Sequence, residues 1–322
     1  MRLTLITCFH NSVLRLDRYF EALRKLDIQG VQLDLVLVDN ASTDETLRRL
    51  EAGARAFEFP AQVLQEFKPG LMHARCAAML AATGDMVLFL DDDNEPQADY
   101  LQELKRLRGR FPQAAFYCGN SLPPPEYGVP EELLKVAGVV AMREERGEFE
   151  FDLVSVQHAN GPWGAGLCGP RQLLARACKE WQNTDQVIKG RTGNGLSGGE
   201  DFWMVNCVCR ENRRIVFSDK LVLIHRINPC RLRPEHLVMV IFQGGFDWPI
   251  HLGAFRALRP EVLDQCPEPL KLLLVMVPRS LMALFVRRNF GAVMSLSHRF
   301  GLGLRLAIQV WQRQKRKRGS QG

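Results

Sequence analysis

The sequence predicts an α/β fold, a mostly parallel sheet with helices on both faces, followed by a helical, basic C-terminal extension. Short apolar runs alternate with segments whose apolar residues recur at helical spacing, which is the pattern of successive strand–helix units. The strand-like runs are mainly apolar, and residues 86–90 are apolar throughout, as expected for parallel strands that are covered on both faces. The C-terminal extension differs from the rest of the chain in its charge, because residues 269–322 contain eleven Lys and Arg but no Asp or Glu.

The first half of the chain contains four predicted strands, at residues 3–7, 33–38, 62–67 and 86–90. After the first strand, Ser12 is expected to cap a helix whose apolar positions run from residue 13 to residue 26. After the second strand, Ser42 and Glu45 are spaced as a capping box at the start of another helix. An Ala-rich helix is predicted over residues 71–82, before the fourth strand.

The second half is less regular. A Pro-rich connection at 121–130 and a Gly- and Asn-rich loop at 183–199 precede a predicted helix over 202–212 and two predicted strands at 215–217 and 221–224. The pattern changes near residue 229. We therefore predict a ligand-binding and catalytic domain at 1–228, an accessory segment at 229–268 and a basic amphipathic tail at 269–322.

Composition narrows the class of protein. With 46% apolar and 24% charged residues, the chain is neither disordered nor collagen-like. The first 268 residues hold more acidic than basic residues, so the net charge of +6 does not support nucleic-acid binding by the main body. The nine cysteines form no CxxC pair, which favours reduced thiols over a zinc site. We expect a cytoplasmic protein without a signal peptide or a membrane span.

Acidic residues follow two of the predicted strands. Asp39 ends the second strand, and Asp91, Asp92 and Asp93 follow the fourth. Ligands of open α/β sheets bind outside the carboxyl ends of the strands, so these residues predict one shared site. Consecutive carboxylates repel one another, and a hard divalent cation relieves that repulsion. The alternative is a solvated turn in which Asp93 or Asn94 caps the next helix.

The tail combines apolar runs with basic residues and ends in RQKRKR. A basic amphipathic helix of this kind is typical of segments that lie on an anionic membrane surface. The alternatives are a pair of oligomerisation helices and a helix that packs on the main domain. A nucleic-acid tail would lack the apolar runs, so no nucleic-acid partner is expected.

Four motifs occur in the order found in family 2 glycosyltransferases of the GT-A fold, which is Rossmann-like. They are LTLITCFHN, LDLVLVDNASTDET, KPGLMHARCAAMLAATGDMVLFLDDDN and SGGEDFWM. The resemblance covers residues 3 to about 226 and extends to bacterial enzymes of polysaccharide assembly. It implies that the donor nucleotide-sugar contacts Thr7, Asp39, Arg75, Asp91, Asp92, Trp163 and Gly164, with Asp39 and Arg75 at the base.

The same resemblance implies the catalytic and metal-binding residues. Asp201, next to Glu200, is similar to the general base of the family, while Asp91, Asp93 and His225 would hold Mn²⁺ or Mg²⁺. Each has a structural alternative: the Glu-Asp pair suits a helix N-terminus, and His225 can simply close a strand. Arg226 and Arg231 are either diphosphate contacts or surface charges. Trp181 is expected in the core.

The resemblance implies a metal-dependent, inverting hexosyltransferase. It would move a sugar from a nucleotide-diphospho-sugar, most simply UDP-linked, to a glycan or lipid-linked acceptor in cell-surface polysaccharide or glycoconjugate synthesis. The loop at 183–199 would close over the donor, and the tail would hold the enzyme on the inner face of the plasma membrane. The alternatives are a nucleotidyltransferase and a non-catalytic, membrane-bound scaffold that binds nucleotide-sugars or glycans.

Overall fold

The structure is a computed structural model that describes residues 1–129, 134, 137–152, 164–184, 199–209, 214–233, 236, 237 and 240. The chain divides into two compact units, the first made of Met1–Gly193 and Gly199–Asn228 and the second of Asn194–Gly198 and Pro229–Gly322. The predicted accessory segment and tail lie almost entirely outside the described residues, and the division at 228 and 268 remains a prediction.

A sheet of nine strands forms the centre of the first unit. The strands are β1 (Arg2–Phe9), β2 (Gln32–Asn40), β3 (Ala61–Glu66), β4 (Met86–Asp91), β5 (Asn94–Pro96), β6 (Phe116–Leu122), β7 (Glu148–Phe151), β8 (Leu167–Pro170) and β9 (Ile215–His225). Their order is β3-β2-β1-β4-β8-β6-β9-β5, and β7 also pairs with β9. Only β5, β7 and β8 run antiparallel to their neighbours among these strands. The prediction of a mostly parallel sheet is therefore confirmed.

Helices cover both faces of the sheet, as predicted. They are α1 (Leu16–Arg24), α2 (Thr46–Ala54), α3 (Leu71–Ala81), α4 (Tyr100–Arg110), α5 (Arg171–Gln182) and α6 (Glu200–Val208). Apolar residues of α1, α2 and α4 form one buried cluster with alternate residues of β1, β2 and β4. On the opposite face α3 packs on β1 and β2, and α5 lies between α3 and α6. Burial of these apolar residues supplies the main driving force for this arrangement.

The long strand β9 brings a distant part of the chain to the edge of the sheet where β4 ends. It runs parallel to β6 in two halves, and the register shifts between Gly119 and Asn120. Beyond that shift, the last residues of β9 pair with the short strand β5, with His225 opposite Asn94. The two strands predicted at 215–217 and 221–224 are thus one continuous strand, in which residues 219–221 are extra residues opposite the step from Gly119 to Asn120.

The predicted helix starts are wrong where they depended on local capping. Helix α1 begins at Leu16, and its N-cap is Arg15 rather than Ser12. Helix α2 begins at Thr46, and neither Ser42 nor Glu45 caps it through a side chain. The helix predicted at 202–212 also begins earlier, at Glu200, and ends at Val208.

Two further observations bear on the sequence predictions. Among the residues that the structure describes, no helix is long and apolar enough to cross a membrane. Trp181 is buried, as predicted, with its ring edge-on to His73 at a centroid separation of 4.8 Å.

Candidate functional site

The carboxyl ends of β1, β2 and β4 meet at one edge of the sheet and bring the predicted aspartates together. In the parallel register Phe9 lies opposite Asp39, and Cys8 lies opposite Asp91. Residues separated by about fifty positions in the sequence thus become neighbours across β1. This edge is where α/β sheets bind ligands.

Because side chains alternate between the two faces along a strand, Asp39 and Asp91 lie on opposite faces of the sheet. Leu35 and Leu37 of β2 belong to the core beneath α1, α2 and α4, so Asp39 lies on that face. Asp91 lies on the opposite face, beside Arg75 of α3. The edge therefore presents two groups of side chains, one on each side of the strand ends.

Asp39 is fully buried but only partly hydrogen-bonded. Its Oδ2 accepts a long hydrogen bond of 3.4 Å from the backbone N–H of Ser42, whereas its Oδ1 has no hydrogen-bond partner among the described residues. An unsatisfied buried carboxylate oxygen costs about 1–3 kcal/mol or more. A ligand N–H that donates to Oδ1 would remove this cost, which identifies Asp39 as a candidate binding residue.

The segments around Asp39 are fixed by the next residue, Asn40. Its amide donates to the carbonyls of Glu66 and Lys68, at 3.2 and 2.8 Å, and its Oδ1 accepts from the N–H of Gly70 at 2.9 Å. The backbone carbonyl of Asn40 also lies 2.8 Å from Nδ1 of His10. Asn40 was not predicted as a functional residue, since its partners lie about thirty positions away in the sequence.

Thr7, which the resemblance places at the nucleoside, is buried at the end of β1. Its hydroxyl shares a hydrogen bond of 2.6 Å with the hydroxyl of Tyr19 in the core. The residue that follows Thr7 is closer to the charged groups, because Cys8 faces Arg75, Asp91 and Asp92. Burial and the two carboxylates raise the pKa of Cys8 to about 12 against the opposing charge of Arg75, so it stays a neutral thiol.

The three consecutive aspartates have three different sets of partners. Asp91 lies 3.8 Å from Nη2 of Arg75, and burial raises the pKa of Asp91 to about 6. Asp92 accepts hydrogen bonds from Ser12 and Arg15. Asp93 Oδ1 lies 3.4 Å from Nε2 of His225.

The chain turns sharply after these aspartates, and Asn94 begins β5. Its Oδ1 accepts a hydrogen bond of 3.0 Å from the backbone N–H of Asp91. The alternative in which Asp93 or Asn94 caps the next helix is therefore wrong; the N-cap of α4 is Asp99. Pairing of Asn94 with His225 explains why the imidazole reaches Asp93.

Arg75 joins the aspartates to the Glu-Asp motif. Its side chain is only 2% exposed, its Nη1 donates to Oδ1 of Asp201, and its guanidinium carbon lies 5.0 Å from the centre of the Phe89 ring. Burial alone would lower the pKa of Arg75, but the charges of Asp201, Asp91 and Glu200 outweigh it and raise the pKa. The guanidinium therefore stays charged and orients Asp201, instead of being free to contact a base.

Because Gly164 has no side chain, the Arg75–Asp201 ion pair can lie close to its backbone. A Cβ atom on Gly164 would overlap with Nη2 of Arg75 and with Oδ1 of Asp201. Asp201 is held in the first turn of α6, where the helix dipole favours its negative charge, and its side chain is 23% exposed. Glu200, one residue earlier, is buried. Asp201 is thus the more accessible carboxylate of the motif.

The predicted metal ligands form a partial donor set. No group of three or more His, Cys, Asp or Glu in the described part of the chain is arranged to hold a metal ion. Asp93 and His225 nevertheless face each other at 3.4 Å, with Asp91 two residues before Asp93. Because Mg²⁺ and Mn²⁺ commonly use one or two protein ligands together with phosphate oxygens, these residues fit a cation that a diphosphate completes.

Trp163 and Arg226 are the two other residues considered as contacts of the donor. Trp163 lies outside the described residues, so its role as a pocket-lining residue stays a prediction. Arg226 forms ion pairs with Glu95 and Glu126, and its backbone N–H donates to the carbonyl of Asp93 at 2.8 Å. These ion pairs hold Arg226 in the wall of the site, which differs from a free diphosphate contact.

Comparison with solved structures defines the class of fold. A Staphylococcus aureus TarS structure, residues 1–349 in complex with UDP-GlcNAc, matches with a TM-score of 0.55 at 18% identity, over 94% of this chain and 92% of that chain. The mannosyltransferase PcManGT from Pyrobaculum calidifontis, in complex with GDP-Man and Mn²⁺, matches with a TM-score of 0.54 at 17% identity, over 95% and 87%. The fold is therefore the GT-A fold, as the sequence predicted.

Sequence comparison matches the first third of the chain to a known family. Residues 4–119 match the model of Glycosyl transferase family 2. The poly(ribitol-phosphate) beta-N-acetylglucosaminyltransferase TarS of Staphylococcus aureus is 27% identical over 103 residues, which is 32% of this chain and 18% of that protein. The chain thus matches about a fifth of the length of this curated relative. Residues 4–119 are thus similar to glycosyltransferase family 2, and the fold around them is the GT-A fold.

Proposed function

We propose that the protein is a metal-dependent, inverting glycosyltransferase that uses a UDP-sugar as its donor. One observation carries the proposal: a single edge of the sheet combines a buried, incompletely bonded carboxylate at Asp39, the Asp93–His225 pair, and Asp201 oriented by Arg75. Asp39 suits a nucleobase, the Asp93–His225 pair suits a diphosphate with its cation, and Asp201 suits an acceptor hydroxyl.

The donor would bind along the strand ends. Oδ1 of Asp39 accepts only, so it would bind an N–H on the edge of the base, such as the imide N–H of uracil. The fold neighbours hold UDP-GlcNAc in one case and GDP-Man in the other, and both bases carry an N–H of this kind. We choose UDP because the relative found by sequence has a structure with UDP-GlcNAc.

The acceptor would approach from the side of Asp201. This carboxylate would remove the proton of the attacking hydroxyl while Arg75 fixes its orientation. Glu200 is buried behind it and adds negative charge that keeps Arg75 ionised. Asp93 and His225, with Asp91, would hold a Mn²⁺ or Mg²⁺ ion, which would neutralise the charge that develops on the leaving diphosphate.

The sequence relative and the basic tail bear on the acceptor and the cellular location. The curated relative is a transferase to poly(ribitol-phosphate), and our chain resembles enzymes of polysaccharide assembly, so we propose a glycan or lipid-linked acceptor for cell-surface synthesis. The basic, apolar tail at 269–322 would hold the enzyme on the inner face of the membrane, close to such an acceptor.

Donor turnover tests the proposal. With Mn²⁺ present, we expect the wild-type chain to release UDP from a UDP-sugar, and the release to exceed that from GDP- and dTDP-sugars. Asp201→Asn should lower this rate by at least about 100-fold, the usual contribution of a general base, while UDP binding stays nearly unchanged. Asp17→Asn is the matched control, because Asp17 is also an aspartate paired with an arginine but lies 79% exposed on α1.

The alternatives give different results in the same assay. A nucleotidyltransferase would form nucleotide-sugars from nucleoside triphosphates and release pyrophosphate. A non-catalytic scaffold would bind UDP-sugar without turnover, and Asp201→Asn would then change nothing. Loss of UDP binding in Asp201→Asn would show that Asp201 is a binding residue and would contradict its role as the base.

A further inference from the structure

The middle aspartate of the three is bound by an arginine that none of the sequence motifs identified. Nε and Nη2 of Arg15 lie 3.0 and 2.6 Å from Oδ2 of Asp92, and Nη2 also donates to Oγ of Ser12 at 3.0 Å. Ser12 itself donates to the same carboxylate oxygen. The Asp92 side chain is 15% exposed and that of Arg15 is 42% exposed, so the ion pair is partly shielded from water.

The turn that carries Arg15 is bonded to a second part of the site. The backbone N–H of Asn11 donates to Oγ of Ser42 at 3.0 Å, and that of Ser12 donates to Oγ1 of Thr46 at 2.8 Å. Ser42 in turn follows Asp39, to which its own N–H donates. One continuous set of hydrogen bonds therefore runs from Asp92, after β4, to the surroundings of Asp39, after β2.

We propose that Arg15 is a positioning residue for the donor. Through Asp92 it holds the β1–α1 turn, residues 10–15, between the two ends of the predicted nucleotide site, so that the base end at Asp39 and the diphosphate end at Asp93 keep a fixed separation. This inference rests on the proposed function, because it assumes that one nucleotide spans both ends. Asp92 then acts by holding the turn, whereas the family resemblance places it on the donor.

The charges favour this role for Asp92. Its carboxylate already accepts from a hydroxyl and from two guanidinium nitrogens, so the protein has neutralised it before any ligand binds. Asp91 and Asp93 have different partners and lie on either side of it in the sequence. Without Arg15, the charge of Asp92 would add to theirs, and the turn would be held to Asp92 by the hydroxyl of Ser12 alone.

The test combines binding, kinetics and exchange on the full chain. We would compare Arg15→Gln, Asp92→Asn and the double variant, using calorimetry with UDP and Mn²⁺, and KM and kcat with a UDP-sugar. Arg18→Gln is the control, an exposed arginine three positions further along in α1. Hydrogen–deuterium exchange of residues 10–15 and 40–46, without any nucleotide, reports on the turn directly, and melting temperatures identify variants that fail to fold.

We expect Arg15→Gln to weaken UDP binding and raise KM about tenfold, the effect of losing one charge-assisted hydrogen bond, with kcat little changed. Exchange of residues 10–15 should rise in the same variant. The double variant should recover most of the lost affinity, because replacing both partners leaves no unpaired charge.

Two results would overturn the inference. One is an Arg15→Gln variant that binds UDP and exchanges like Arg18→Gln. The other is an Asp92→Asn variant that binds much more weakly than Arg15→Gln, with no recovery in the double variant, since Asp92 would then contact the donor directly. If instead the wild type binds no nucleotide, the proposed function fails, and the exchange measurement alone decides whether Arg15 fixes the turn.

Discussion

The buried guanidinium of Arg75 determines the charge balance of the candidate site. It lies between Asp201 and Asp91, and it is itself almost fully buried against Phe89. A buried arginine without partners would be strongly unfavourable, so the two carboxylates together also stabilise the buried guanidinium. The site therefore orients Asp201 before any substrate binds, and such preorganisation is what a general base requires.

Gly164→Ala tests this arrangement at a single residue. The added methyl group would overlap with both members of the Arg75–Asp201 pair, so we expect it to displace Asp201 and to lower turnover at least tenfold. UDP binding should change much less, because Asp39 is on the other face of the sheet. Kinetics and calorimetry on the same preparation measure the two effects. Equal activity of Gly164→Ala and wild type would contradict the role given to the pair.

The sequence allowed some site residues to be predicted but not others. Asp39, Asp91 and Asp93 follow apolar strands, and the alternation of strands and helices predicts that they share one edge. Arg15 and Asn40 were missed, because their importance depends on partners at Asp92, Glu66 and Lys68 that only the folded chain brings near. No local pattern marks an arginine whose partner lies 77 positions away.

The strand β9 is the element on which the predicted cation site depends. It carries His225 to Asp93 only because its pairing with β6 shifts at Gly119 and its last residues can then pair with β5. A Cβ atom on Gly119 would overlap with the carbonyl oxygen and Cβ of Leu221 in β9. Glycine is therefore required at this point by close approach of the two strands.

Gly119→Ala tests the contribution of this element. We expect the substitution to lower the free energy of unfolding by about 1–3 kcal/mol, the usual cost of overpacking, and to weaken Mn²⁺-dependent UDP binding. Gly109→Ala in α4 is the matched control, because its added Cβ meets no atom within 4 Å and alanine favours the helix. Chemical denaturation compares the two. A Gly119→Ala variant as stable as Gly109→Ala would show that the register shift tolerates a side chain.

Whole elements were easier to predict than their ends. The strands predicted at 33–38 and 86–90 lie within Gln32–Asn40 and Met86–Asp91, since a short and mainly apolar run has few alternatives. Helix caps failed because Ser12 and Ser42 form long-range bonds, to Asp92 and to Asn11, in place of local ones. The strands β5, β7 and β8 escaped prediction because three or four residues carry too little pattern. The seven-residue strand β6 was also missed, and its last two residues overlap the Pro-rich connection predicted at 121–130.

At the scale of the whole molecule, the tail is expected to direct the catalytic domain to a membrane. Replacing Arg313, Lys315, Arg316, Lys317 and Arg318 by glutamine in the full chain should reduce binding to vesicles of anionic phospholipid, because each basic residue contributes about 1 kcal/mol near such a surface. Donor turnover in solution should stay unchanged. Vesicle flotation at low and high salt measures the effect. Equal flotation of both proteins, or flotation with neutral vesicles, would contradict the electrostatic attachment.

The central claim is that carboxylates from distant parts of the chain form one nucleotide-sugar site. A crystal structure of the protein with UDP and Mn²⁺ tests it most directly. We expect the base to donate to Oδ1 of Asp39, the cation to lie against Asp93 and His225 beside the diphosphate, and Asp201 to remain on Arg75. Density for UDP at another place, or an Asp39 that stays without a partner while UDP is bound, would contradict the claim.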